Sequence, residues 1–142
     1  MADIIGILGS ALHAVHKVYD VVKMIKEAPA AVRALRKEAS RVKSLLAAIL
    51  PTPDCEPSLI LQSNENPLVK ALVEDARELD IALELFIAKV TKLNTDGTRE
   101  VNRIRWPLYA GKAREISEQL RAFHMTLSAV YAVSTSCVPL TS

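Results

Sequence analysis

The chain is poor in aromatic residues, glycine and cysteine, and it has no long uninterrupted apolar run. Its 142 residues include four glycines and two cysteines, and Phe, Trp and Tyr together make up only 4%. So few glycines argue against a β-sandwich, which needs many tight turns. With aromatics scarce, Ala, Leu, Val and Ile must fill the core, a composition that suits helices. Cys55 and Cys137 lie in proline-containing segments and fit no metal-ligand spacing. They read as two reduced thiols, and a bridge between just two cysteines is not deducible from sequence. No stretch reaches the ~18 consecutive apolar residues of an ordinary membrane-spanning helix. The apolar N-terminus lacks the basic region and cleavage site of a secretory signal. A cytoplasmic protein is therefore expected at rest.

Half of the residues are hydrophobic, which excludes wholesale disorder. The length suits one domain with its own core. The net charge of +2 conceals an uneven layout. Residues 17–43 carry eight Lys/Arg against three Asp/Glu, residues 54–84 two against eight, and residues 89–121 eight against four. Either these faces complement one another inside the bundle, or the basic regions form a surface for an acidic partner.

Apolar residues recur at alternating steps of three and four, the period of an amphipathic helix. Leu8, Ala11, Val15, Val18, Val22 and Ile25 define a first helix from about Asp3 to Lys26. Val32, Leu35, Ala39, Val42, Leu46 and Ile49 define a second, with Pro29 as its first residue and Pro51 and Pro53 ending it. Leu72, Ala76, Leu79, Leu83, Phe86, Val90 and Leu93 define a third, opened by Pro67 and stopped by Asn94, Asp96 and Gly97. Thr98 is placed to cap a short helical segment, Arg99–Arg105. Ile116, Leu120, Phe123, Leu127 and Val130 then mark a last helix from about Leu108 to Ser134. The linker from Pro51 to Asn66 has room for one short turn at Leu59–Leu61. The expected fold is all-α, a four- to five-helix antiparallel bundle over residues 1–134, with 135–142 a flexible tail or linker to a downstream region.

Signatures of chemistry are missing. There is no phosphate-cradling glycine loop, no dinucleotide fingerprint, no nucleophile elbow and no zinc motif. His13 and His16 share a helical face, but no third ligand accompanies them, so they read as surface or boundary histidines. Glu74, Asp75, Glu78 and Asp80 read as the solvated face of the third helix. Arg33, Arg36, Lys37, Arg41 and Lys43 lack the aromatic interleaving of a nucleic-acid surface. The chain is expected to be neither an enzyme nor a nucleic-acid binder, and to need no cofactor and no metal.

The first helix stands apart. From Ile4 to His16 there is no Lys, Arg, Asp or Glu, and Ile4, Ile5, Ile7, Leu8 and Leu12 wrap most of its circumference. Ala2, Gly6, Ser10 and Ala14 form a small-xxx-small series of the kind that lets helices pack closely in membranes. Gly6 and Gly9 each weaken a helix in water by ~1 kcal/mol relative to Ala. Two readings stay open: a helix central in the bundle, its glycines permitting close packing, or a segment released to a membrane.

Three pieces of the chain, in order, carry a resemblance: "MADIIGILGSALHAVHKVYDVV", "IKEAPAAVRALRKEASRVKSLLAAIL" and "IRWPLYAGKAREISEQLRAFHMTLSAVYAV". They resemble the HeLo-like N-terminal domains of fungal NOD-like receptors and related cell-death proteins, over nearly the whole chain. The likeness extends to the four-helix domain of the mixed-lineage kinase-like pseudokinase and to plant cell-death coiled-coil domains. Pro107 directly after Trp106 departs from the pattern. The resemblance implies a programmed cell-death execution domain of innate immunity that permeabilises the plasma membrane once a receptor or an amyloid-type signalling motif clusters it. Membrane insertion would fall on Ile4, Ile5, Gly6, Ile7, Leu8, Gly9 and Leu12. Lys17, Lys23, Lys26, Arg33, Arg36 and Lys37 would meet anionic lipid, at ~1 kcal/mol per residue. The first helix reaches spanning length only by including Lys17, Asp20 and Lys23, so a pore-forming homo-oligomer is expected, with those charges in a watery lumen. The alternative is a protein-interaction or oligomerisation module that never touches lipid.

Overall fold

The structure is a computed structural model, and it describes residues 4–25, 29–50, 55–57, 66–93, 99–101, 110–134 and 137–139. The protein is an all-α bundle of four helices among these residues: α1 (Ile4–Lys23), α2 (Ala30–Ile49), α3 (Pro67–Val90) and α4 (Ala110–Ser134). The periodic stripes explain the packing. Every residue of the α2 and α4 stripes is buried, as is the α3 stripe from Leu72 to Val90 and the α1 stripe from Leu8 to Val22. One core results, with Phe86 and Phe123 its largest side chains and leucines and valines around them.

The helices sit at the corners of a square. α1 packs on α2 and α3, and α4 packs on α2 and α3, so α2 and α3 occupy opposite corners, as do α1 and α4. Side-chain contacts fix the directions. Ser10 meets Asp80 and Lys17 meets Glu84, both numbers rising together, so α1 and α3 run parallel. α2 and α4 are likewise parallel: Glu38 meets Arg121 near their middles, and Ala48 shares a groove with Tyr131 near their C-termini. Consecutive helices are antiparallel, α1 and α2 because six residues join them, α3 and α4 because Asp75 near the start of one meets Thr126 near the end of the other.

Helix ends follow local chemistry. The Asn66 side chain accepts a hydrogen bond from the Leu68 amide at 2.9 Å, and Pro67 takes the first helical position, where its missing N–H is harmless. Pro29 differs from expectation: it lies one residue before α2, with extended ψ of 160°, and its carbonyl accepts from the Val32 and Arg33 amides. α3 stops at Val90 rather than Leu93. The amide and the hydroxyl of Thr91 both donate to the Ile87 carbonyl, closing the last turn while the backbone turns extended. Thr91–Leu93 is a strand, β2, paired antiparallel with β3 (Arg99–Val101). The helical segment expected from Arg99 is therefore a hairpin arm over its first three residues. The Asp96-Gly97 pair between the two runs is as much a hairpin signal as a helix stop. A second two-stranded ladder joins β1 (Cys55–Pro57), after α2, to β4 (Cys137–Pro139), within the stretch expected to be a free tail. The expected turn at Leu59–Leu61, the residues Asp3, Lys26 and Ala2, and the Trp106-Pro107 junction lie outside the described residues.

Two substitutions within α3 separate core from surface. Leu83 is fully buried and Ile81 is 64% exposed. Leu83→Ala should lower unfolding free energy by about 2–5 kcal/mol, and Ile81→Ala by under about 0.5 kcal/mol, in urea denaturation. A Cβ at Gly9 meets nothing within 4 Å, so Gly9→Ala should raise stability by about 1 kcal/mol in the same assay.

Candidate functional site

The charge pattern becomes a surface pattern through the square. α2 carries five cations, Arg33, Arg36, Lys37, Arg41 and Lys43, and one carboxylate, Glu38. Glu38 is only 5% exposed, held at the α2–α4 contact by Arg41 (3.4 Å) and Arg121 (3.7 Å). The solvent face of α2 is thus cationic without an exposed anion. Its first turn holds no acidic residue, so the partial positive charge of the helix N-terminus adds to that of Arg33. Among the described residues Arg33, Arg36 and Lys37 make no ion pair.

α3, at the opposite corner, carries five carboxylates and three cations. Its acidic residues divide by role. Glu74 and Glu78 are exposed, whereas Asp75 and Asp80 are half-buried and accept from Thr126 and Ser10. The basic α2 and the acidic α3 therefore do not neutralise each other inside the bundle, because they do not touch appreciably. Lys17–Glu84, at 3.2 Å between exposed side chains, is a surface pair of the weak kind.

The six cations assigned to lipid contact are not one patch. Arg33, Arg36 and Lys37 share the α2 surface. Lys17 turns to α3, and Lys23 lies over the Tyr19 ring, 5.8 Å from its centroid, with Lys43 of α2 at 4.8 Å. Lys26 lies outside the described residues. Arg41 and Lys43, which the sequence already groups with Arg33 and Lys37 on a basic helix, and Arg121 of α4 extend the basic surface beyond the assigned set.

The apolar residues of α1 divide in the same way. Ile4 and Leu8 belong to the core, Ile5, Ile7, Gly9 and Leu12 are half-buried, and Gly6 is exposed. Of the small-residue series, Ala14 is fully buried, Ser10 donates to Asp80 at 2.6 Å, and Gly6 faces solvent. The outward side of α1 shows Gly6, His13 and His16, with His16 3.2 Å from Asp20. No helix among the described residues is long and apolar enough to cross a membrane, and no group of three His, Cys, Asp or Glu among them could hold a metal.

Two further features escaped the sequence reading. An open groove of about 440 Å³ runs between α2 and α4, lined by Ser40, Arg41, Ser44, Leu45, Ala48, His124 and Tyr131. On α3, Ile81 and Leu85 are 64% and 56% exposed. The signal for them was present: both are large apolar residues off the stripe that runs from Leu72 to Val90.

No family model, curated protein or solved structure matches this chain.

The pairing at Glu38 is asymmetric, since the carboxylate is buried while its arginines are half in water. Arg41→Ala with Arg121→Ala strands a buried charge and should cost about 2–3 kcal/mol of stability. Glu38→Gln frees two solvated cations and should cost about 1 kcal/mol or less. Thermal or urea unfolding of the two variants reads the difference.

Proposed function

We propose that this chain is a membrane-acting domain of the HeLo-like, cell-death type, cytoplasmic at rest and active at the plasma membrane after clustering. The observation that carries the reading is the solvent face of α2, where Arg33, Arg36 and Lys37 stand exposed without an ion pair and the helix's one carboxylate, Glu38, is buried. Such a face attracts the anionic headgroups of a cytoplasmic leaflet at ~1 kcal/mol per residue. Beside it lies α1, uncharged from Ile4 to His16. At rest that helix keeps Leu8, Ala11, Ala14 and Val15 in the core, so insertion requires it to leave the bundle. No described helix is a spanning segment on its own, which supports action by an assembly, with Lys17, Asp20 and Lys23 kept wet.

A second reading, a protein-interaction module that does not touch lipid, is favoured by a different observation: exposed Ile81 and Leu85 on α3, on a bundle whose first helix is well packed. In that reading the partner is a receptor, a signalling segment or another copy of the chain.

Dye leakage from liposomes discriminates the two. Gly6 is exposed, so Gly6→Glu alters the α1 surface with the bundle intact. Leu8→Lys would instead bury an unpaired ammonium and unfold the domain. Leakage should need both anionic lipid and forced clustering through a C-terminal fusion, and should be lost in Gly6→Glu. Reversing Arg33, Arg36 and Lys37 to Glu should abolish flotation with anionic vesicles. Folded, clustered protein that leaves anionic vesicles intact rules the membrane reading out in favour of the interaction module.

A further inference from the structure

The exposed stripe of α3 reads Glu74, Glu78, Ile81, Leu85, at steps of four, three and four. The outward stripe of α2 reads Arg33, Lys37, Ser40, Ser44, with the same steps. In each helix the N-terminal half of the stripe is charged, with opposite signs, and the C-terminal half is not. On α3 that second half projects two large apolar side chains. On α2 it borders the open groove, whose apolar lining includes Leu45, Ala48 and Tyr131. The two stripes lie at opposite corners of one bundle and so cannot meet within a chain.

We infer that the occupant of the α2 face is a second copy of this chain, docked through its α3 face. The helices lie parallel, Glu74 against Arg33 and Glu78 against Lys37, with Ile81 and Leu85 over Ser40, Ser44 and the groove mouth. The charge order selects this direction: the antiparallel alternative sets the apolar pair against the arginine and lysine. Because α2 and α3 point away from each other, the contact is head-to-tail. It leaves a free α2 at one end and a free α3 at the other, so chains extend beyond a dimer. Since α2 and α3 are antiparallel within a protomer, successive copies are inverted along the stack. Two cations border the α3 stripe, Arg77 beside it and Lys70 one turn before Glu74, and both are exposed. This inference goes beyond the membrane reading by naming the surfaces through which copies meet, and it competes with lipid for Arg33 and Lys37, whereas substitutions at Glu74 and Glu78 leave the lipid face untouched.

Sedimentation velocity over a range of concentrations tests it, with circular dichroism to show that each surface variant is folded. The wild-type chain should sediment faster as concentration rises at low salt, and less so at high salt, where the ion pairs are screened. Glu74→Arg with Glu78→Arg should remain monomeric, as should Arg33→Glu with Lys37→Glu. The chain carrying all four exchanges should associate again, and Arg77→Ala should associate about two- to fivefold tighter than wild type. A wild-type chain monomeric at every concentration overturns the inference. So does a fourfold exchange that stays monomeric, or association that Ile81→Asp abolishes while the α2 reversals leave it intact, which would mean α3 pairs with α3. Leakage by the Glu74/Glu78 variant is then measured under forced clustering, with α1 and α2 unaltered. Wild-type chains that associate in this way but never permeabilise vesicles sink the membrane reading alone.

Discussion

Four apolar stripes must close on one core, and the order in which they do so governs everything on the outside. The chain between α2 and α3 spans residues 50–66 and connects opposite corners of the square, not neighbouring ones. An alternative square, with α3 beside α2, would bury the same leucines and valines. It would also set the acidic helix against the basic one and cancel the charge separation. The diagonal arrangement instead places each of them between α1 and α4, whose contacts with them are mostly apolar. Lys17–Glu84, Ser10–Asp80, Thr126–Asp75, the Glu38 cluster and Lys43 over the Tyr19 ring add polar links between helices.

What was legible in the sequence was the inward side of each helix. Periodicity reports which face of a helix is apolar, and Val32 to Ile49, Leu72 to Val90 and Ile116 to Val130 all went inside. Periodicity carries no information about which helix lies next door, so the charged stretches read equally well as complementary or as separate. Boundaries were legible where a strong local group acts, as at Asn66-Pro67, and illegible where tertiary pairing wins, as at Thr91 and Arg99. The small-residue series in the first helix illustrates a further limit. Steps of four drift around a helix of 3.6 residues per turn, so Gly6, Ser10 and Ala14 end up in three different environments: solvent, a neighbouring helix and the core.

The candidate site was half legible for the same reason. Arg33, Arg36 and Lys37 share a surface because they lie on one helix, whereas Lys17 and Lys23 were grouped with them by sign alone. The exposed Ile81 and Leu85 were masked by the longer, regular stripe beside them. Lipid contact and self-association as proposed both draw on the α2 face, Arg33 and Lys37 above all, so in a stack of copies only the end with a free α2 would present that face to a membrane.

The burial of Glu38 has a mechanical consequence. It keeps an anion off the outer face of α2, whose five cations outnumber that one carboxylate, while α3 at the far corner carries five carboxylates against three cations. Such a body feels a torque in an uneven electric field, because one edge is drawn forward as the other is pushed back. At physiological ionic strength the field of a charged surface decays over ~8 Å. Near an anionic surface, alignment would be confined to the last moments of diffusive approach, with α2 leading.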